Sequence, residues 1–177
     1  MATAHPIGPD TGSLVLRTTR QGLATKVGHD LTIEVTRWSG TVTVDPAGHG
    51  IDVTIEIGSL AVVHGAGGVK PLSDRDRNEI RTNAAKILDS SRTPTARFVA
   101  TSAELGADGG GTVTGTLTLR GVSRDHTLTI TPLGEGRFRA TGTVTQTEFG
   151  IKPYTAFLGA LKLADAVTVE AEVTLPG

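Results

Sequence analysis

From residue 113 to residue 130 apolar and polar side chains alternate. Val113, Gly115, Leu117 and Leu119 fall on one side of the first arm, against Thr114, Thr116, Thr118 and Arg120; in the second arm His126, Leu128 and Ile130 oppose Thr127, Thr129 and Thr131. A period of two marks strands with one buried face. The glycine-led stretch Gly121-Val122-Ser123-Arg124 separates the arms and predicts the turn of an antiparallel hairpin. Seven further stretches read as strands by the same alternation. Residues 13–20 read as an opening strand, and residues 23–35 as a longer one with Val27, His29, Leu31, Ile33 and Val35 on its apolar face. Trp38 and Gly40 predict a turn into 41–44, and 51–57 places Ile51, Val53, Ile55 and Ile57 together. Residues 96–101, 137–147 and 166–175 complete the set, the last presenting Val167, Val169, Ala171, Val173 and Leu175 on one face.

Two stretches break the pattern before the last strand. Residues 59–72, with three glycines and a proline in HGAGGVKPL, predict only loose structure. A single helix follows over about 74–89: Ser73 and Asp76 have the spacing of a capping box, and Ile80, Ala84, Ile87 and Leu88 share one helical face. The segment EFGIKPYTAFLGALKLAD is irregular and unusually apolar, which predicts a loop capping one end of the sheet, with Phe149, Tyr154, Phe157 and Leu158 as candidates for a ligand rim. About eight strands joined mostly by short turns remove their edges most simply by closing into an antiparallel barrel. The expectation is therefore an all-β chain, with residues 1–11 a flexible leader and 12–177 a single domain.

Composition sharpens the picture of the interior. Aromatic residues make up 3% of the chain, so the inward positions are mainly Val, Ala, Leu, Ile and Gly. Small liners leave room in an eight-stranded barrel, which is either just filled by side chains or wide enough for one elongated ligand. An apolar guest is the cheapest filling of such a space, because an empty one forfeits contacts and its walls offer water no partners. Seventeen basic residues against eighteen acidic ones, with no basic stripe, argue against nucleic acid as a partner. The absence of cysteine excludes disulfides, thiolate metal sites and thiol nucleophiles. No stretch approaches the roughly 18 apolar residues of a membrane-spanning helix, and the start MATAHPIGPDTG has neither a basic run nor an apolar one. The expectation is a soluble, cytoplasmic protein.

Several motifs resemble the YceI-like, polyisoprenoid-binding family. They are KVGHDLTIEVTRWSGTVTVD near the start, DRDRNEIRTNAAKILDSSRTPTARFVATS in the middle, GTVTGTLTLRGVSRDHTLTI after it, and TEFGI before the last strand. Together they cover most of the chain from about Gly12 onward, and the conjunction of an Arg-rich helix, Pro94-Thr95-x-x-Phe98 and the run from Gly115 to Val122 is the specific part. The resemblance implies a lipocalin-like, eight-stranded up-and-down barrel whose pore holds a polyisoprenoid, an isoprenoid quinone or a fatty-acyl lipid. The chain departs from that family in His29-Asp30, in the insert HGAGGVKPL and in the secretion signal that many members carry.

On this reading the pore is lined by Val27, His29, Leu31, Ile33, Val35, Val53, Ile55, Phe98, Leu117, Leu119, Leu128, Ile130, Phe138 and Val144. His29 is either a core histidine or a donor to a ligand head group, and His126, beside the turn, is read as a rim residue. Gln146 and Glu148 continue the inward parity of Val144, while Arg75, Arg77 and Arg81 form the solvated side of the helix or meet an anionic head group at the mouth. Scattered histidines do not make a metal site, and no cofactor is expected. No GxSxG, HExxH or phosphate-binding loop is present. Binding without catalysis is the preferred reading. Two alternatives stay open: a side-chain-filled barrel serving as an interaction module, with a homodimer formed through an exposed strand or the late insert, and an enzyme working on an apolar substrate through His29 or Glu148.

Overall fold

The computed structural model describes residues 2–22, 28–68, 70–159 and 161–176. It is mostly β with one helix. Eleven strands form a single curled sheet: β1 (Thr3–Ile7), β2 (Gly12–Thr18), β4 (Asp30–Val35), β5 (Trp38–Val44), β6 (Gly50–Glu56), β7 (Leu60–Ala66), β8 (Thr95–Leu105), β9 (Gly111–Leu119), β10 (Val122–Gly134), β11 (Arg137–Thr145) and β14 (Ala166–Thr174). Their order across the sheet is β1-β5-β6-β8-β9-β10-β11-β14-β2-β4-β7, and every neighbouring pair is antiparallel. A small second sheet, β12 (Thr155–Ala156), β13 (Leu161–Leu163) and β3 (Arg20–Gln21), closes over one end.

The strand count exceeds the expected eight for physical reasons. Where a turn was expected at Trp38 and Gly40, the chain bends at Thr36-Arg37, and buried Trp38 already begins β5. Opposite this bend, a 3-10 turn at Ile57–Ser59 joins β6 to β7. The two bends are hydrogen-bonded to each other, Thr36 N–H donating to Ser59 O (3.0 Å) and Glu56 N–H to Arg37 O (3.1 Å). β7 occupies part of the stretch read as loose: Leu60 and Val62 point inward and Val63 outward, so the alternation outweighs the glycines behind it. Residues 1–11, expected as a leader, contribute β1, which pairs with β5 from Thr3↔Val44 to Ile7↔Gly40 and buries Ile7. Its Pro6 suits an edge strand, where one lost donor faces no partner.

The central hairpin has its turn one step earlier than the sequence suggests. Leu119 pairs with Val122, leaving Arg120 and Gly121 as a two-residue turn with positive φ at both (53° and 75°), the geometry whose twist matches that of the flanking strands. The expected strand 23–35 is observed as β4 from Asp30; residues 23–27 lie outside the described residues. Helix α1 (Asp74–Ile87) agrees closely with expectation. Ser73 Oγ accepts from Asp76 N–H (3.1 Å) and Asp76 Oδ2 from Ser73 N–H (3.0 Å), completing the capping box.

Two hydrophobic clusters hold the molecule. One gathers Leu14, Leu31, Ile33, Val35, Trp38, Leu60 and Val62, and the other Phe98, Val113, Leu117, Val144, Phe149 and Ile151. Helix α1 spans them: Ile80 and Ala84 pack on the first, Ile87 on the second and Leu88 on both. Arg77 and Arg81, rather than lying free on a solvated face, donate to the carbonyls of Val62 (3.3 Å) and Gly58 (3.1 Å) and so tie the helix to β7 and the turn before it.

Candidate ligand-binding cavity

The two clusters do not meet across a solid core. Between them, the concave face of the sheet and helix α1 enclose a cavity of about 990 Å³, at the upper end of the ~300–1,000 Å³ of small-molecule sites. Its wall runs from the β5–β6 and β8–β9 turns, with His49, Gly50, Gly106 and Gly109, to the opposite end, with His29, Lys70, Asp76, Glu79 and Lys162. The cavity is therefore long rather than round. Alternation along each strand explains its chemistry, since the inward positions carry Val, Leu, Ile, Ala and Phe while threonines and charges face out.

Of the residues proposed as pore lining, His29, Leu31, Ile33, Val35, Val53, Ile55, Phe98, Leu117, Leu119, Leu128, Ile130, Phe138 and Val144 all border this cavity. Val27 lies outside the described residues. The late insert is divided. Tyr154 borders the cavity, Phe149 is buried in the second cluster away from it, Leu158 is fully exposed, and the side chain of Phe157 lies outside what is described. Sequence reasoning passed over other wall residues. Leu14, Leu16 and Thr18 share the inward side of β2, Trp38 was read as a turn, and Ala140 and Ala171, paired across β11 and β14, leave the wall low at mid-length. The alternation along 13–20 and 166–175 was the available signal.

The polar groups fall in separate places. His29 sits at the charged end, where its Nε2 donates to Lys70 O (2.7 Å) and holds Lys70 against the rim. His126 is not at a rim but half-buried in the wall, its ring edge-on to Phe98 at 5.9 Å between centroids. Gly142 makes room for that ring: a Cβ there would stand 2.7 Å from His126 Nε2. Burial pushes the His126 imidazole below its ordinary pKa, so it is held neutral. Gln146 keeps the inward parity and its Nε2 donates to Ala164 O (3.1 Å), whereas Glu148 lies in a shallow polar depression on the outer face with Asp125 and Thr143. His29 and Glu148 consequently belong to different surfaces. Asp165, accepting from the hydroxyl and N–H of Thr147, is held below the usual carboxylate range and fixes the start of the insert beside Gln146.

An antiparallel sheet curled around a long apolar cavity, with one amphipathic helix packed on it, defines a class of β folds with an interior wide enough for a small molecule. The sequence pattern of the YceI-like domain matches residues 14–175, and the chain belongs to that family, whose members are known as polyisoprenoid-binding barrels. It is 30% identical over 127 residues to the UPF0312 protein of Pseudomonas savastanoi pv. phaseolicola, a match covering 65% of this chain and 60% of that protein, and 38% identical over 78 residues to the UPF0312 protein of Pseudomonas putida F1, covering 39% and 41%. Among solved structures, BcnA of Burkholderia cenocepacia superposes with a TM-score of 0.63 at 19% identity, over 93% of this chain and 96% of that one. A Campylobacter jejuni YCEI protein gives a TM-score of 0.52 at 21% identity, over 82% and 85%. Those two likenesses carry the fold.

Proposed function

We propose that this protein binds one long apolar molecule, a polyisoprenoid, an isoprenoid quinone or a fatty-acyl lipid, in the cavity and carries, stores or sequesters it. The observation that carries this reading is the cavity itself, about 990 Å³ with apolar walls drawn from strands around the whole sheet. A solid, side-chain-filled barrel is the poorer account of the same walls. Each methylene transferred from water contributes about 0.8 kcal/mol, so a chain of ten or more carbons binds with few polar contacts. In this reading β4–β5 and β6–β7 each act as one bent strand, making a ring of eight with β1 laid on its edge, and residues 12–177 form one binding domain. Leu31, Ile33, Phe98, Leu117, Leu128 and Val144 meet the chain of the ligand, and His29 and Tyr154 stand where it enters.

The family's character as a binding family supports transport or storage over catalysis. The test is native mass spectrometry of the gently purified protein, followed by organic extraction of what it carries. A stoichiometric lipid-like species is the expected result. A bare protein that also refuses farnesol, a short ubiquinone and palmitate overturns the proposal. A homodimer and a cytoplasmic place of action belong to the same proposal, and are checked by the mass of the native species and by fractionation of producing cells.

A further inference from the structure

Among the polar side chains that border the cavity are Thr18 and Gln146, on β2 and just past the end of β11. Thr18, on the last residue of β2, is 6% exposed, and its Oγ1 has no hydrogen-bond partner among the described residues. That is an unusual state for a buried hydroxyl, since a valine of the same shape would carry no such penalty. Gln146 is 9% exposed. Its Nε2 is held by Ala164 O, and among the described residues its Oε1 forms no hydrogen bond. Both residues are anchored on one backbone unit, because the N–H of Ala164 donates to the carbonyl of Thr19 (2.8 Å), the neighbour of Thr18. Thr18 and Gln146, each carrying an oxygen with spare capacity among the described residues and each on a rigid element, thus border the same cavity.

We infer that Thr18 and Gln146 form an internal polar subsite that seats the hydroxyl group of a long-chain alcohol. The inference rests on the proposed binding of an apolar chain and names its head. A ligand O–H donates to Gln146 Oε1 while its oxygen accepts from Thr18 Oγ1, so both unused groups are satisfied by one atom pair. An anionic head fits less well, because Arg20, two residues from Thr18, is already engaged: its guanidinium bonds the carbonyl of Gly28 and faces Asp30 at 3.7 Å. A neutral imidazole at His126 adds no charge to the wall.

The experiment compares dodecan-1-ol, dodecane and dodecyl phosphate by displacement of a fluorescent fatty-acid probe from the full chain. In the wild type dodecan-1-ol binds more tightly than dodecyl phosphate. Thr18→Val shifts the ratio of the alcohol and alkane Kd values against the alcohol by about five- to tenfold, the scale of one hydrogen bond, and Thr18→Ser restores it. An unchanged ratio in Thr18→Val, or tighter binding of the phosphate to the wild type, overturns the subsite while leaving chain binding intact. Failure of all three probes to bind overturns the binding reading as well, so the two failures are distinguishable.

Discussion

The low point of the cavity wall at Ala140 and Ala171 allows a direct test of what the cavity is for. These residues are a cross-strand pair on β11 and β14, both bordering the cavity. Replacing both by phenylalanine places two rings side by side across its width. Neighbouring strands are about 4.8 Å apart, so the rings deny a bound chain roughly that length of its path, or about four methylenes. At ~0.8 kcal/mol for each, the loss is about 3 kcal/mol, which weakens Kd by roughly 150-fold. The rings themselves gain buried area in open space, so the thermal midpoint of the variant is expected to equal or exceed that of the parent, unlike the usual penalty for overfilling a packed core. The assay is displacement of a fluorescent fatty-acid probe together with thermal unfolding by circular dichroism. Thr143→Phe, an exposed change on the same strand, serves as the control and leaves affinity unaltered. Wild-type affinity in the Ala140→Phe/Ala171→Phe protein refutes the cavity as the binding site, and a steep loss of stability refutes the claim that the space is open.

Other expectations follow from the packing and the charges. Ser73→Ala removes the capping box of α1 and lowers stability by about 1 kcal/mol, measured by urea unfolding; Ser73→Asp retains most of it. His126, held neutral by burial, resists a proton that the unfolded chain takes up below about pH 6.5. Stability therefore falls as pH drops from 7.5 through that value, and His126→Leu removes its share of the slope in melts recorded from pH 8 to 5. Asp52 and Glu172 are held below the ordinary carboxylate range by hydrogen bonds from Arg97 and Arg139. Their contribution is present above about pH 4 and fades as pH falls further. At these exposed sites it is small and screened by salt, so Arg97→Met should cost more at 10 mM than at 500 mM NaCl in the same melts.

Much of this architecture is legible in the sequence because it rests on periodicity. β9, β10 and β14 have one wet and one dry face, and the alternation of Val113, Leu117, Leu128, Val167 and Val169 is enough to assign both strand and wall. The helix was legible from Ser73, Asp76 and the spacing of Ile80, Ala84 and Leu88. What was not legible depends on tertiary context. β1 offers one buried residue, Ile7, and a proline, so nothing local separates it from a tail until β5 supplies the partner. The bend at Thr36-Arg37 is set by bonds to Ser59 and Glu56 some twenty residues away. Trp38 reads as punctuation beside Gly40, yet it is a core residue of the first cluster. His126 was assigned to a rim because of its nearness to the turn, but strand parity, which points it inward beside Leu128, proved the stronger signal. The unpartnered state of Thr18 has no signature in sequence at all, since threonines abound on both faces.

The open interior has a consequence for how long the protein lasts in a cell. Leu117 and Val144 are buried in the second cluster and also border the cavity, so a guest there adds contacts that the cluster alone does not supply. A guest that fills the gap enters the folding equilibrium directly, adding about 2.7 kcal/mol when its free concentration is a hundred times Kd. Proteases that act on opened chains would then clear empty molecules faster than loaded ones. Under the proposed binding function, the amount of protein surviving becomes a gauge of guest supply, with the cavity as its sensing element.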